Sequence, residues 1–197
     1  MNLVYKDIST TEPVSLPDAK IHLGQVDTYY DTLIDGLISA ARERAETYLN
    51  RSLIDKTVVV MLDDHPDNMY VKLPKGPIKA ITSVKYWDGS DMQTLPSEKY
   101  EHDTACDPGI LYFLSMISDL KRRVNCIHIE YTVGWGDRTI SGHTVKTPMP
   151  QPVISAMLMM IRTMFDMRED LIKGTIVARV PQNAEFLLSP YRVFEFL

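Results

Sequence analysis

Cysteine is almost absent from this 197-residue chain: Cys106 and Cys126 stand alone, at a spacing that fits neither a metal-binding nor a redox pair. A disulfide framework is therefore excluded, and both are expected to be free thiols. Glycine is scarce as well, at 9 residues, and no tract repeats or loses complexity. Basic runs are short, none longer than Lys121-Arg122-Arg123, and 21 basic against 26 acidic residues leave a net charge of −5. That balance gives no support for a phosphate-binding surface. The longest apolar run, Val153–Ile161, is broken by Ser155 and is too short to cross a bilayer. The opening MNLVYKDIST lacks the apolar centre of a secretion signal, so a cytosolic chain is expected. What is present is ordinary: 45% hydrophobic and 24% charged residues, at a length that suits one domain or one with an insertion.

Helical signals come first. Ser15 is placed to cap a short helix through Leu23, with Pro17 and Asp18 in its first turn and Gly24 as its stop. A longer helix follows, with Asp27 or Thr28 as cap and Asn50-Arg51 as its end. Its apolar positions, Tyr30, Leu33, Ile34, Leu37, Ile38, Ala41, Ala45, Tyr48 and Leu49, recur at the helical period and form one stripe. Leu37 is expected at the centre of that stripe, with Asp31, Asp35, Arg42, Glu43 and Glu46 opposite.

From Leu53 the texture becomes β. Thr57–Leu62, Tyr70–Leu73, Ile78–Trp87 and Asn125–Val133 are rich in β-branched and aromatic residues, with turn clusters between them. In the last of these Ile127, Ile129, Tyr131 and Val133 alternate with Cys126, His128, Glu130 and Thr132, which predicts an antiparallel sheet with one wet face. Gly134–Pro150 is expected to be a loop. Pro152 then opens a helix to about Lys173, apolar nearly all round and stopped near Gly174. The predicted class is α+β. A helical core is built from residues 1–52 and 150–197, and residues 53–149 form a β-rich insertion like a small antiparallel sandwich or barrel.

Candidate chemistry is thin. Asp63, Asp64, His65 and Asp67 are metal-ligand types, yet they lack the glycine and closing glutamate of a calcium loop and lie where Asp, Asn and Pro build turns. The five histidines have no paired spacing for zinc, and His128 is expected on the wet sheet face. Ser118 and Lys121 match an S-x-x-K spacing without its partner motifs. Gly134-Trp135-Gly136 is too short to cradle a phosphate and reads as a turn. No nucleophile, base and orienting group assemble, so no catalytic residue, cofactor or metal is assigned. The apolar excess lies in the C-terminal third, with methionines at 149, 157, 159, 160, 164 and 167. Methionine suits surfaces that repack against a partner. Met159, Met160, Met167, Tyr191, Val193, Phe194 and Phe196 are therefore the candidate partner interface, with a buried core helix as the alternative.

Several segments, in order, resemble one family. Pro13–Leu23 (PVSLPDAKIHL) and Ala40–Ile54 (AARERAETYLNRSLI) are similar to the opening of the head–tail connector (adaptor) proteins of tailed bacteriophages. Ile129–Gly136 (IEYTVGWG), Met149–Ile154 (MPQPVI) and Ala184–Phe194 (AEFLLSPYRVF) resemble the later landmarks of that family, in the branch with a β-rich insertion. Gly24-Gln25-Val26 departs from the pattern, standing where such proteins often carry an arginine and an acidic stretch. The resemblance implies a non-enzymatic virion protein of the neck, assembled in the host cytoplasm into a ring of about a dozen copies. Its implied partners are the portal protein and a downstream tail or neck-completion protein. Genomic DNA would pass through the ring without sequence-specific binding, and no membrane is involved. The alternatives are another neck or tail structural protein, or a metal-dependent enzyme built on the Asp63–Asp67 loop.

Overall fold

In the computed structural model, which describes residues 1–140, 143–167 and 182–194, the first helix forms where its caps predict. Helix α1 (Leu16–Leu23) begins at Ser15, whose Oγ accepts the Asp18 N–H at 3.2 Å, and stops at Gly24 in the left-handed region. Helix α2 (Asp31–Leu49) starts later than Asp27 or Thr28 would place it. The Asp27 carboxylate accepts the Tyr29 N–H instead, and Asp31 is held by the Lys20 ammonium at 2.6 Å rather than reaching back to Thr28. Its end is as expected, with Asn50 in the left-handed region.

Contacts divide the described chain into two units: Met1–Ser9 with Ile54–Pro148, and Thr10–Leu53 with the described part of Met149–Phe194. The helical unit packs α3 (Gln151–Asp166) against α1, α2 and α4 (Gln182–Leu188). The stripe that α2 buries is Ile34, Ile38, Ala41, Ala45 and Leu49. Leu37, expected at its centre, is only half-buried, and Leu33 is exposed. The stripe is rotated because Arg42, expected on the wet face, is buried beside it. Arg42 donates to Glu12 at 2.8 Å and Glu46 at 3.2 Å, and Ser39 donates to Glu12 at 2.9 Å. A guanidinium so fully engaged sits in the wall of a core and displaces the apolar arc by about one residue. Helix α3 ends at Asp166, and the predicted continuation to Lys173 and the stop at Gly174 lie outside the described residues.

The β unit is antiparallel throughout. One sheet has the order β1-β2-β8-β4-β5, with β1 (Asn2–Ile8), β2 (Lys56–Leu62), β4 (Ile78–Trp87), β5 (Met92–Thr94) and β8 (Ile127–Val133). A second has the order β3-β7-β6, with β3 (Tyr70–Leu73), β6 (Tyr100–Asp103) and β7 (Gly109–Phe113). Val58, Val60, Ile127, Ile129 and Tyr131 of the first meet Val71, Leu73, Leu111 and Phe113 of the second in one core, with the Tyr131 hydroxyl donating to the Pro74 carbonyl at 2.9 Å. Strand β8 alternates buried and half-buried as its pattern predicts, with His128 on the outer face. Two expectations fail. Asn2–Ile8, placed with the helical core by the sequence, pairs with β2. Gly134–Pro150, expected as loop, contains the two-stranded ribbon β9 (Gly136–Ile140) and β10 (His143–Thr147). Gly134 does make the sharp exit from β8: its φ is +132°, and a Cβ would come within 2.9 Å of the Ile54 carbonyl oxygen. Among the described residues no helix is long and apolar enough to cross a membrane.

Two measurements check this packing. Ile38→Ala is expected to cost about 2–5 kcal/mol and Leu37→Ala about 1 kcal/mol, while Glu43→Ala should cost less than either. Equal shifts in melting temperature for Ile38→Ala and Leu37→Ala would reject the rotated stripe. Burial, aided by Arg123 and Lys85, pushes His128 below the ordinary histidine range. The unfolded chain then binds a proton that the folded chain resists. Stability should fall as pH drops from about 7 towards about 5, levelling below the folded value, and His128→Gln should flatten that slope.

Candidate assembly surfaces

The chemistry proposed for the acidic loop is absorbed by its turn. Asp63 accepts the Asn125 N–H at 2.7 Å, Asp64 pairs with Arg122 at 2.5 Å, and the His65 ring packs on Phe113 with centroids 4.8 Å apart. Among the described residues no three His, Cys, Asp or Glu side chains converge on a metal position. Ser118, on a turn, and Lys121, just after it, are both exposed. Burial, together with Asp103, pushes the Cys106 thiol up, away from the thiolate a nucleophile needs. Neither cysteine is in a disulfide.

Exposed apolar side chains are the remaining signal, and several fall in places the sequence did not single out. At the corner where α1 hands over to α2, Ile21 is 79%, Val26 94% and Tyr29 83% exposed, with Leu33 beside them on the first turns of α2. Leu16, Pro17, Ile21 and Val26 wall a hollow of about 530 Å³, with the Lys20–Asp31 ion pair at its rim. The corner stays open for a local reason. Gly24 ends α1 in the left-handed region, and the chain runs through the Asp27 turn before α2 begins. Nothing in that stretch folds back over Ile21 or Val26. Periodicity could not find these residues, because they lie on a helix edge and a connection rather than on a stripe.

The candidates drawn from the C-terminal third divide. Met160 is 2% exposed and belongs to the core that α3 builds with Val153, Ala156, Met157, Ile161 and Phe165, so it has no surface to offer a partner. The apolar circumference of α3 is answered mainly inside the chain, since three helices pack on it. Met159 is half-buried, Met167 is exposed at the end of α3, and Phe196 lies outside the described residues. Tyr191 and Val193 are half-buried because the segment lies along the end of α2. The Val193 N–H donates to the Leu49 carbonyl at 2.9 Å, and Arg51 Nε donates to the Tyr191 carbonyl at 2.6 Å. The Arg192 guanidinium sits between the Tyr48 and Phe194 rings, 5.1 and 5.0 Å from their centroids. Phe194 remains 61% exposed, and Phe186 on α4, which the sequence did not single out, is 78% exposed.

Residues 13–105 match the family model described as phage gp6-like head-tail connector protein. No curated protein matches the sequence. Solved structures share the fold over its whole length. A chain of the neck of an empty gene transfer agent (GTA) particle, computed with C6 symmetry, aligns with TM-score 0.69 and 16% identity over 100% of this chain and 98% of its own. A chain from the virion of a native GTA particle gives TM-score 0.73 and 16% identity at the same coverage. A chain of the native GTA neck, computed with C12 symmetry, gives 0.68 and 17% over 98% of this chain and 97% of its own. The resemblance to head–tail connector proteins is thus borne out by the family match over residues 13–105, and the α+β fold is that of the neck structures.

The anchoring of the C-terminal segment is testable through Arg51. Arg51→Ala removes a charge-assisted hydrogen bond to a partly buried carbonyl and should destabilise the protein by about 1.5–3 kcal/mol, with faster proteolysis after Leu188. An unchanged denaturation midpoint would show that the segment is not held there.

Proposed function

We propose that this chain is a structural connector subunit of the neck of a phage-like particle, forming a ring that joins the portal vertex of the head to the tail. The observation that carries this reading is the match of residues 13–105 to the head-tail connector model, supported by a fold shared end to end with neck chains. The C6 and C12 symmetry of those necks supports a ring of about a dozen copies. Portal protein on one side and a tail or neck-completion protein on the other are the partners of such a ring, and genomic DNA would pass through it. The chain's place is then the virion, reached after assembly in the host.

The physical properties of the subunit agree with a structural role. Its acidic loop is engaged in turn contacts, and its surface keeps several large apolar side chains in water. Exposed patches of that kind mark contact sites. In a closed ring each contact joins two different patches, so one subunit needs two. We assign contact roles to the Ile21–Val26–Tyr29 corner and to the exposed side chains at the other ends of the helical unit, Met167, Phe186 and Phe194, with Met159 at the margin. A net charge of −5 is an ordinary solubility charge, and like charge adds no affinity for DNA sliding past.

Negative-stain imaging of the purified chain, alone and mixed with its portal protein, should show closed rings or portal rings carrying an added layer. Val26→Asp, which leaves the fold intact because Val26 is almost wholly exposed, should reduce ring formation about tenfold or more at fixed concentration. Single subunits at every concentration, with no binding to portal, would overturn the connector reading.

A further inference from the structure

The β unit leaves strand edges open, and they are unequal. The three-stranded sheet ends in strands of four residues each, and β5 has three. Short edges of that kind are poor templates for another chain. Strand β1 is different: it is seven residues long, terminal in its sheet, and paired only with β2 among the described residues. Its register is regular from Asn2 to Tyr5, and the irregularity comes after, at Lys6. Val4 and Tyr5 stand exposed along the regular run. A lysine is the usual guard of such an edge, yet Lys6 does not serve as one, because its ammonium reaches across the sheet to Glu130 at 3.3 Å.

The second uncovered edge is the β9–β10 ribbon. Among the described residues it forms a sheet of two strands with no third. An isolated two-stranded ribbon is marginal in water and gains most from another strand. Its outer strand reads His-Thr-Val-Lys-Thr, high in β-propensity. Ile140 and His143 are partners flanking a two-residue connection, so they form the closing hydrogen-bonded pair. The backbone groups of Thr144 and Lys146 then face away from β9, free to pair outward. The five residues of β10 are enough to span the four-residue regular run of β1.

We propose that β10 of one copy pairs with the outer edge of β1 on the next copy, so that the five-stranded sheet continues across the subunit boundary. The occupant is a second copy of this chain, for a reason of symmetry. A ring contact is heterologous and needs two different complementary surfaces per subunit, and among the described residues β1 and β10 are each paired on one side only, so each is suited to accept the other. Backbone pairing sets the spacing and direction of neighbours, while apolar contacts elsewhere add affinity. The inference rests on the ring reading above and adds to it which elements join the copies.

The test uses the full-length chain, alone and with portal protein. Thr144→Pro and Lys146→Pro each remove an outward N–H while leaving the hydrogen bonds between β9 and β10 in place. Each should keep the wild-type melting temperature and weaken each ring contact about tenfold or more, whereas Thr144→Val, which retains the N–H, should assemble normally. Hydrogen exchange on the wild-type protein gives a reading that does not depend on a variant folding. Alternate amides of Asn2–Tyr5, together with those of Thr144 and Lys146, should gain protection only in rings. Wild-type rings without that protection, or proline variants that assemble as well as wild type, would overturn the edge pairing and leave the connector reading standing. A wild-type chain that never forms rings or layers would overturn both.

Discussion

The helical unit depends on one long-range closure: α3 must land on the stripe of α2, although all of the β unit except β1 lies between them in sequence. The stripe explains why the fit is close. Ala41 and Ala45 are fully buried at its middle, and small residues there let a second helix approach, while Ile34, Ile38 and Leu49 fill the ends. Tyr30 and Phe165 meet edge to face with ring centroids 5.5 Å apart at one end of the contact. Arg162 of α3 donates to the Leu23 carbonyl at 3.3 Å, so the same helix also holds the end of α1. Nothing local could stabilise α1 alone, as it is two turns long. Its order follows from packing on α2 and α3 together, with the Lys20–Asp31 ion pair tying it to α2.

A buried ionic cluster borders this closure. Arg42 gathers Glu12, Glu46 and, more loosely, Glu43 at 3.5 Å, and Glu46 also accepts the Leu53 N–H at 2.8 Å. The cluster ties the chain before α1 and the chain after α2 to the middle of α2 itself. A cluster of this sort adds little net stability, because desolvation offsets most of its attraction. It does fix which way α2 faces. Were α2 turned so that Leu37 became central, Arg42 would leave its carboxylates and they would be stranded at the edge of a core.

That cluster is also where reading the sequence went astray. A helical period was legible, and so were the caps of α1 and the end of α2, because each rests on local chemistry at one or two residues. Which residue lies at the centre of the buried arc was not, since Arg42 counts as polar in any pattern and its partners come from a distant segment. The same limit hid β1. Asn2–Ile8 has weak alternation of its own and becomes a strand only because β2 offers it an edge. Ribbon β9–β10 was hidden differently, by glycines and prolines at both ends that read as loop, although Thr139, Ile140, Thr144 and Val145 are good strand residues. Strands β2, β4 and β8 were plain, being buried on one face and rich in branched side chains. Among the candidate contact residues, Met160 was misplaced because a methionine-rich helix has the same composition whether its neighbours belong to its own chain or to another.

This last ambiguity has a physical resolution with consequences for assembly. The apolar surplus of α3 is mostly covered by α1, α2 and α4, and the C-terminal segment is bonded to the end of α2, so these side chains serve the subunit before they serve any partner. Association must then use what the subunit leaves over, and the remainder is scattered: a corner of two or three side chains, single aromatic rings, strand edges. Contacts of that kind are individually weak, and a pair of subunits joined by one of them would separate readily. A ring changes the arithmetic, because closing it makes every copy hold two neighbours at once and the last contact forms within an already assembled object. On the connector reading proposed above, surfaces too small to pair in isolation would suffice once a circle closes.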